Sequence, residues 1–143
     1  FWRWLMDVRA KAHAEGKTFA AYCYSAHGEN HWMRMSAQRF REVDEREVEE
    51  FISSPEWVDM FAHVKRSFAG PFGLGLKVVA PEAGFTWPEE DFDGEESVNA
   101  RREALAGDLV ARQRLLDYNS GDVQATRAVR EWMDAGAPGT TAL

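Results

Sequence analysis

Apolar residues recur at helical spacing from the first position. Phe1, Leu5, Val8 and Ala12 share one face, and Gly16 closes the run, which predicts a helix to about Glu15. Residues 18–24 follow, short, apolar and aromatic without clean alternation. They predict a strand covered on both faces, as in a parallel or mixed α/β sheet. It is the one strong strand signal. A lone strand cannot satisfy its own backbone groups, so its sheet partners are expected to come from outside this stretch of chain. Residues 28–40 read as a helix with Trp32, Met33 and Met35 as its apolar surface. Asp44 to Glu47 has the form of a capping box ahead of Val48, Phe51 and Ile52. Ser54 and Pro55 are read as the cap and first position of a further helix, whose stripe is Trp57, Val58, Phe61, Val64 and Phe68 and which ends at Gly70 and Pro71.

Residues 70–93 read as loop, with a short extended piece at 73–79 and breaks at Pro81, Gly84 and Pro88. The acidic run 89–96 reads as a solvated loop. A long helix is predicted over roughly 95–117, with Val98, Leu105, Leu109 and Leu116 on one face. Asn119, Ser120 and Gly121 are expected to interrupt it before a last helix carrying Val123, Thr126, Val129 and Met133. Residues 136–143 are small and polar and read as a flexible tail, leaving 1–135 as one domain. The chain opens inside a helical pattern, without an initiator methionine or a capping residue, so an excised or truncated piece of a longer protein is expected.

Composition narrows the class. The 143 residues suffice for one hydrophobic core, and six tryptophans and nine phenylalanines imply substantial burial. No apolar run is as long as a membrane span, and no signal-peptide pattern opens the chain. A single cysteine, Cys23, excludes an intramolecular disulfide and fits a reducing compartment, so a cytoplasmic location is expected. With only four scattered histidines, it also argues against structural zinc. The net charge of −7 weighs against a stand-alone nucleic-acid binder, whose affinity comes largely from basic side chains on phosphates. It does not weigh against a nuclease built on metal-binding carboxylates, because bound cations reverse the local charge.

The sharpest local feature is Tyr118, four residues before Asp122 and followed by Ala125 and Thr126. Read locally, Asn119 is a good N-cap, Asp122 suits the positive end of a helix, and Tyr118 can fill a core. The wording Tyr-Asn-x-x-Asp-x-x-Ala-Thr, then Val129, Arg130, Glu131 and Trp132, resembles the third motif, Tyr-x-x-x-Asp, of the ribonuclease H-like 3′–5′ exonucleases named for their Asp-Glu-Asp-Asp residues. It is similar in particular to the ribonuclease H-like domain attached to RecB-like nucleases. The phrases Trp57 to Phe61, Val64 to Ser67 and Gly73 to Val79 resemble the segment between the second and third motifs, with glycine where Tyr or Ser is usual. Glu29, just after the predicted strand, occupies the place of the second motif. The spacing there is one residue longer, and the usual Asn-to-Asp form is absent.

The resemblance implies an α/β ribonuclease H-like fold, present here as a mostly helical piece with one clear central strand and the opening strands missing. It implies hydrolysis of phosphodiester bonds in DNA or RNA with Mg2+ or Mn2+ as cofactor. Asp122 and Glu29 would be metal-binding carboxylates, and Tyr118 would orient the attacking water. Nucleic acid and the remaining domains of the same chain, a RecB-like nuclease or helicase among them, are the implied partners. The first motif, Asp-x-Glu, is expected before Phe1, and Asp93 with Glu95 is rejected as a decoy in an acidic loop. With Glu29 and Asp122 alone, this piece is expected to bind Mg2+ weakly and to turn over no substrate. His27 and His31 are read as surface groups, Asp59 as structural, and Lys77 as an exposed lysine within reach of a phosphate. A reading from a different class is a non-catalytic helical interaction or scaffold module within a larger nucleic-acid-processing protein.

Overall fold

A computed structural model describes residues 1–40, 42–88, 92 and 94–140. The chain divides into two compact units, Phe1–Arg66 and Ser67–Leu143.

In the first unit, α1 (Trp2–Ala14) ends as its periodicity predicts, with Gly16 at φ +68°. The predicted strand is shorter than its apolar run: β1 covers Ala21–Cys23. One partner lies within this stretch of chain. It is β2 (Trp57–Asp59), paired in parallel with Ala21 opposite Trp57 and Cys23 opposite Asp59. A parallel pair needs a crossover, and α2 (Ala26–Arg39) with α3 (Glu45–Ile52) supplies it. The helix expected to start at Ser54 is therefore corrected. Ser54 makes a turn instead, its hydroxyl donating to the Phe51 carbonyl at 2.7 Å and accepting from Glu56 N at 3.3 Å. The helix α4 (Met60–Ser67) begins only after the strand. Trp57 and Val58 fitted the helical stripe, but aromatic and β-branched side chains also suit a strand, and pairing with β1 decides between the two.

The cap of α3 forms in half. Asp44 Oδ1 accepts from Arg46 N at 2.8 Å, while Glu47 does not complete a capping box but accepts from the Trp2 indole at 2.8 Å. That bond ties α1 to α3 over a core of Leu5, Val48, Phe51, Met60 and Val64. Phe51 is its centre, edge-on to Trp2 at 5.6 Å and tilted against Trp57 at 5.8 Å. Glu56 adds a second tie to α1, accepting from Arg9 and pairing with His13, each at 2.6 Å.

In the second unit, residues 73–79 are not extended. They lead into α5 (Leu76–Glu82), which buries Val79 and Ala80. Pro81 stands inside this helix but so near its end that only one backbone bond is forfeited. The single long helix expected over 95–117 is two helices. The first, α6 (Gly94–Leu105), extends into the run read as an acidic loop. The second, α7 (Leu109–Asp134), starts after Gly107 at φ +105° and Asp108, whose carboxylate accepts from Val110 N at 2.8 Å and Ala111 N at 3.0 Å. Conversely, the break expected at Asn119, Ser120 and Gly121 is absent: α7 runs through it unbroken for 26 residues. Phe92, Ala100 and Ala111 form a buried cluster with Leu115 and Tyr118 against it. Beyond α7, Ala137 is buried and the Trp132 indole donates to the Pro138 carbonyl at 3.0 Å. Residues 141–143, at the end of the expected tail, lie outside the described residues, as does Asp93 of the rejected Asp-x-Glu match.

Candidate functional site

The two carboxylates singled out from sequence fall in different units, Glu29 in the first and Asp122 in the second. Each is described within its own unit.

Glu29 lies in the first turn of α2, immediately beyond the carboxyl end of β1. Ser25, at φ +70°, makes the turn between them, a left-handed conformation that a non-glycine residue adopts at some cost. Asp59, at the end of the neighbouring strand, holds that turn: its Oδ1 accepts from Ser25 N and from Phe61 N, both at 2.9 Å. The structural role expected for Asp59 is what this geometry supplies, since one oxygen caps α4 and secures the chain leaving β1. Its charge is also felt nearby. Burial first, then Asp59 and Glu29, push the Cys23 thiol up to about 12. Burial and Asp59 push the Tyr24 hydroxyl up to about 12. Cys23 is thus a protonated, buried thiol at neutral pH and a poor nucleophile. Glu29 is solvent-exposed on one side but partly stripped of water on the other, which raises its pKa; its own backbone N–H works against the rise and Asp59 adds to it. Glu29 lines a groove of about 820 Å³ walled by Trp2, Trp32, Phe40 and Trp57. His27 and His31 are exposed, with the His31 ring edge-on to Trp32 at 5.6 Å.

Asp122 is in the body of α7, not in the first turn of a helix, so the local reading with Asn119 as N-cap does not hold. Four residues apart on one helix, Tyr118 and Asp122 lie on the same face. Both are half-buried. Tyr118 packs edge-on against Phe92 at 5.0 Å. Asp122 Oδ1 accepts from the Trp87 indole at 2.9 Å, and Oδ2 makes no hydrogen bond among the described residues. Lys77 is exposed, as expected, but its ammonium is placed: Nζ stands 3.7 Å over the Trp87 ring and 4.9 Å from the Tyr118 ring centre. Trp87 was not singled out from sequence. The available signal was a lone tryptophan after a Pro/Gly-rich loop, together with a glycine directly before Asp122.

As donors, Asp122 and Glu29 are hard oxygen ligands of the kind Mg2+ and Mn2+ take, and Mg2+ is commonly held by one or two carboxylates with water and phosphate oxygens completing its shell. Among the described residues, no three His, Cys, Asp or Glu side chains come together as a metal cage. The donor type at each position fits a divalent cation, and each carboxylate by itself supplies only part of such a shell. No helix of the described residues is long and apolar enough to cross a membrane.

No curated protein and no solved structure matches the chain. A family model described as the RNase_H superfamily matches residues 8–134, a span that takes in the strand pair, Glu29, Tyr118 and Asp122. Members of that superfamily are generally hydrolytic nucleases and typically use divalent metals. Since the match covers most of the 143 residues, the chain belongs to the RNase H superfamily.

Proposed function

We infer that this chain is part of a metal-dependent nuclease domain that hydrolyses phosphodiester bonds in nucleic acid in the manner of a 3′–5′ exonuclease, with Asp122, Tyr118 and Glu29 as its site residues. The observation that carries the reading is the face of α7 on which Tyr118 and Asp122 stand four residues apart, with Lys77 over the adjoining rings. Asp122 contributes a carboxylate through Oδ2, and Glu29 a second one beyond the end of β1. A bound Mg2+ or Mn2+ supplies charge stabilisation at the phosphate and lowers the pKa of the attacking water. Tyr118 orients that water, and the Lys77 ammonium offers a positive charge to a neighbouring phosphate.

The test is Asp122→Asn in the full-length protein, assayed on a labelled single-stranded oligonucleotide with Mg2+ or Mn2+ and with chelator. Asparagine keeps an acceptor for the Trp87 indole but removes the charge. Cleavage is expected to fall by at least about 100-fold, with the melting temperature almost unchanged. Tyr118→Phe keeps the ring against Phe92 and is expected to lose only part of the rate. Full cleavage by Asp122→Asn would end the assignment of Asp122 as a site carboxylate, and a parent protein without cation-dependent cleavage would favour a non-catalytic helical interaction module.

A further inference from the structure

In the body of an α-helix every backbone N–H is committed to the carbonyl four residues back, so no main-chain donor is available to orient a carboxylate there. Asp122 is oriented by a donor from outside its helix. The Trp87 indole reaches Oδ1 at 2.9 Å. The ring comes this close only because residue 121 has no side chain: a Cβ at Gly121 would stand 2.9 Å from Trp87 Cδ1 and 3.3 Å from Nε1. Glycine in a helix interior costs about 1 kcal/mol relative to alanine, and the approach of the indole accounts for its presence in the unbroken α7. The indole is held on its other sides too. Phe85 stands edge-on to it at 5.0 Å, with the ring planes at 90°, and Lys77 Nζ lies 3.7 Å over it.

We propose that Trp87 is a positioning residue for Asp122: its indole N–H takes up Oδ1 and fixes the side chain so that Oδ2 is the oxygen offered to the reaction, and Gly121 is the clearance that lets it do so. The proposal rests on the reading of Asp122 as a site carboxylate given above. It implies that Trp87 acts without touching substrate. Its loss would then lower kcat and cation affinity and leave the oligonucleotide KM in place.

The experiment replaces Trp87 in the full-length protein with benzothienylalanine, which keeps the shape of the ring and deletes only the N–H donor. Trp87→Phe serves as a second variant. Both are measured for kcat and KM on the labelled oligonucleotide, for Mn2+ affinity by electron paramagnetic resonance, and for melting temperature. Groups that orient a metal-binding side chain are worth roughly 10- to 100-fold in affinity or activity. The analogue is therefore expected to lose on the order of tenfold in kcat and in Mn2+ affinity, with KM and melting temperature close to those of the parent. Native kcat and native Mn2+ affinity in the analogue would overturn the proposal. So would a loss confined to KM or to melting temperature. Asp122→Asn run alongside separates the two levels. If that variant retains full cleavage, the reading of Asp122 fails. If it is inactive while the benzothienylalanine protein is as fast as the parent, only the role of Trp87 fails.

Discussion

Glu29 and Asp122 are both carboxylates on helices, yet the two units hold them by different means. In the first unit the placement is the work of the backbone. β1 delivers the chain to a turn at Ser25, Asp59 pins that turn, and Glu29 follows in the first turn of α2 with no side chain ion pair of its own among the described residues. In the second unit the backbone is an ordinary helix interior, and side chains do the placing: Trp87 on Oδ1 of Asp122, Lys77 over Trp87 and Tyr118, Phe92 against Tyr118. The strand-end carboxylate depends on the sheet and on the Asp59 side chain at the turn. The mid-helix carboxylate depends on a few named side-chain contacts.

The largest expected effect breaks the first unit at its core. Phe51→Ala removes the ring that packs between Trp2 and Trp57 beneath β2, and should destabilise the protein by about 3–5 kcal/mol. Chemical denaturation followed by tryptophan fluorescence would measure it. A loss below about 1 kcal/mol would mean that the strand end carrying Glu29 does not depend on this core.

Two helical glycines give a smaller and more pointed contrast. Around Gly28 in α2 an added Cβ meets nothing within 4 Å, so Gly28→Ala should stabilise by about 0.5–1 kcal/mol through helix propensity and reduced unfolded-state freedom. At Gly121 the same substitution drives a Cβ into the Trp87 ring. The overpacking, about 1–3 kcal/mol, exceeds the propensity gain, so Gly121→Ala should destabilise and perturb the fluorescence of the second unit. Paired melting curves would show opposite signs. The same sign for both would remove the distinction between the units.

The smallest effect is a pH dependence. The pKa of Glu29 is raised by partial loss of hydration and by Asp59, so the folded state binds its proton more readily than the unfolded chain does. This is the reverse of a salt-bridged carboxylate. Ionised Glu29 detracts from stability at neutral pH, and the deficit disappears as pH falls through the raised pKa toward the ordinary value of 4.5. Glu29→Gln should therefore raise the melting temperature slightly at pH 7 and leave it unchanged below pH 4.5. A variant that melts lower at pH 7 would contradict the assigned direction.

How far each region could be read from sequence follows the range of the forces that shape it. The end of α1 at Gly16 and the Asp44 cap of α3 are set by residues within about one helical turn, and periodicity or capping chemistry exposes them. The junction at Gly107 and Asp108 is equally local and was legible in principle, as a glycine stop followed by an Asp cap, but the continuous apolar stripe masked it. The short strand β2 could not be read this way. Trp57 and Val58 satisfy helical and extended patterns alike, and the hydrogen bonds that make them a strand come from β1, far back in the chain.

The helix through Asn119, Ser120 and Gly121 is the clearest division between what the sequence determined by itself and what tertiary structure decided. The sequence by itself determined that a tyrosine and an aspartate lie four positions apart. Only the folded chain decided that these positions lie mid-helix, because Trp87, thirty-five residues from Asp122, fills the space beside Gly121 and donates to the carboxylate. In isolation the tripeptide favours a break, since Asn and Ser compete for backbone hydrogen bonds and glycine gains freedom by leaving the helix. Packing an indole on that face and satisfying its N–H makes the unbroken helix the lower free energy state, and that balance depends on a partner too distant in the chain for any local pattern to register.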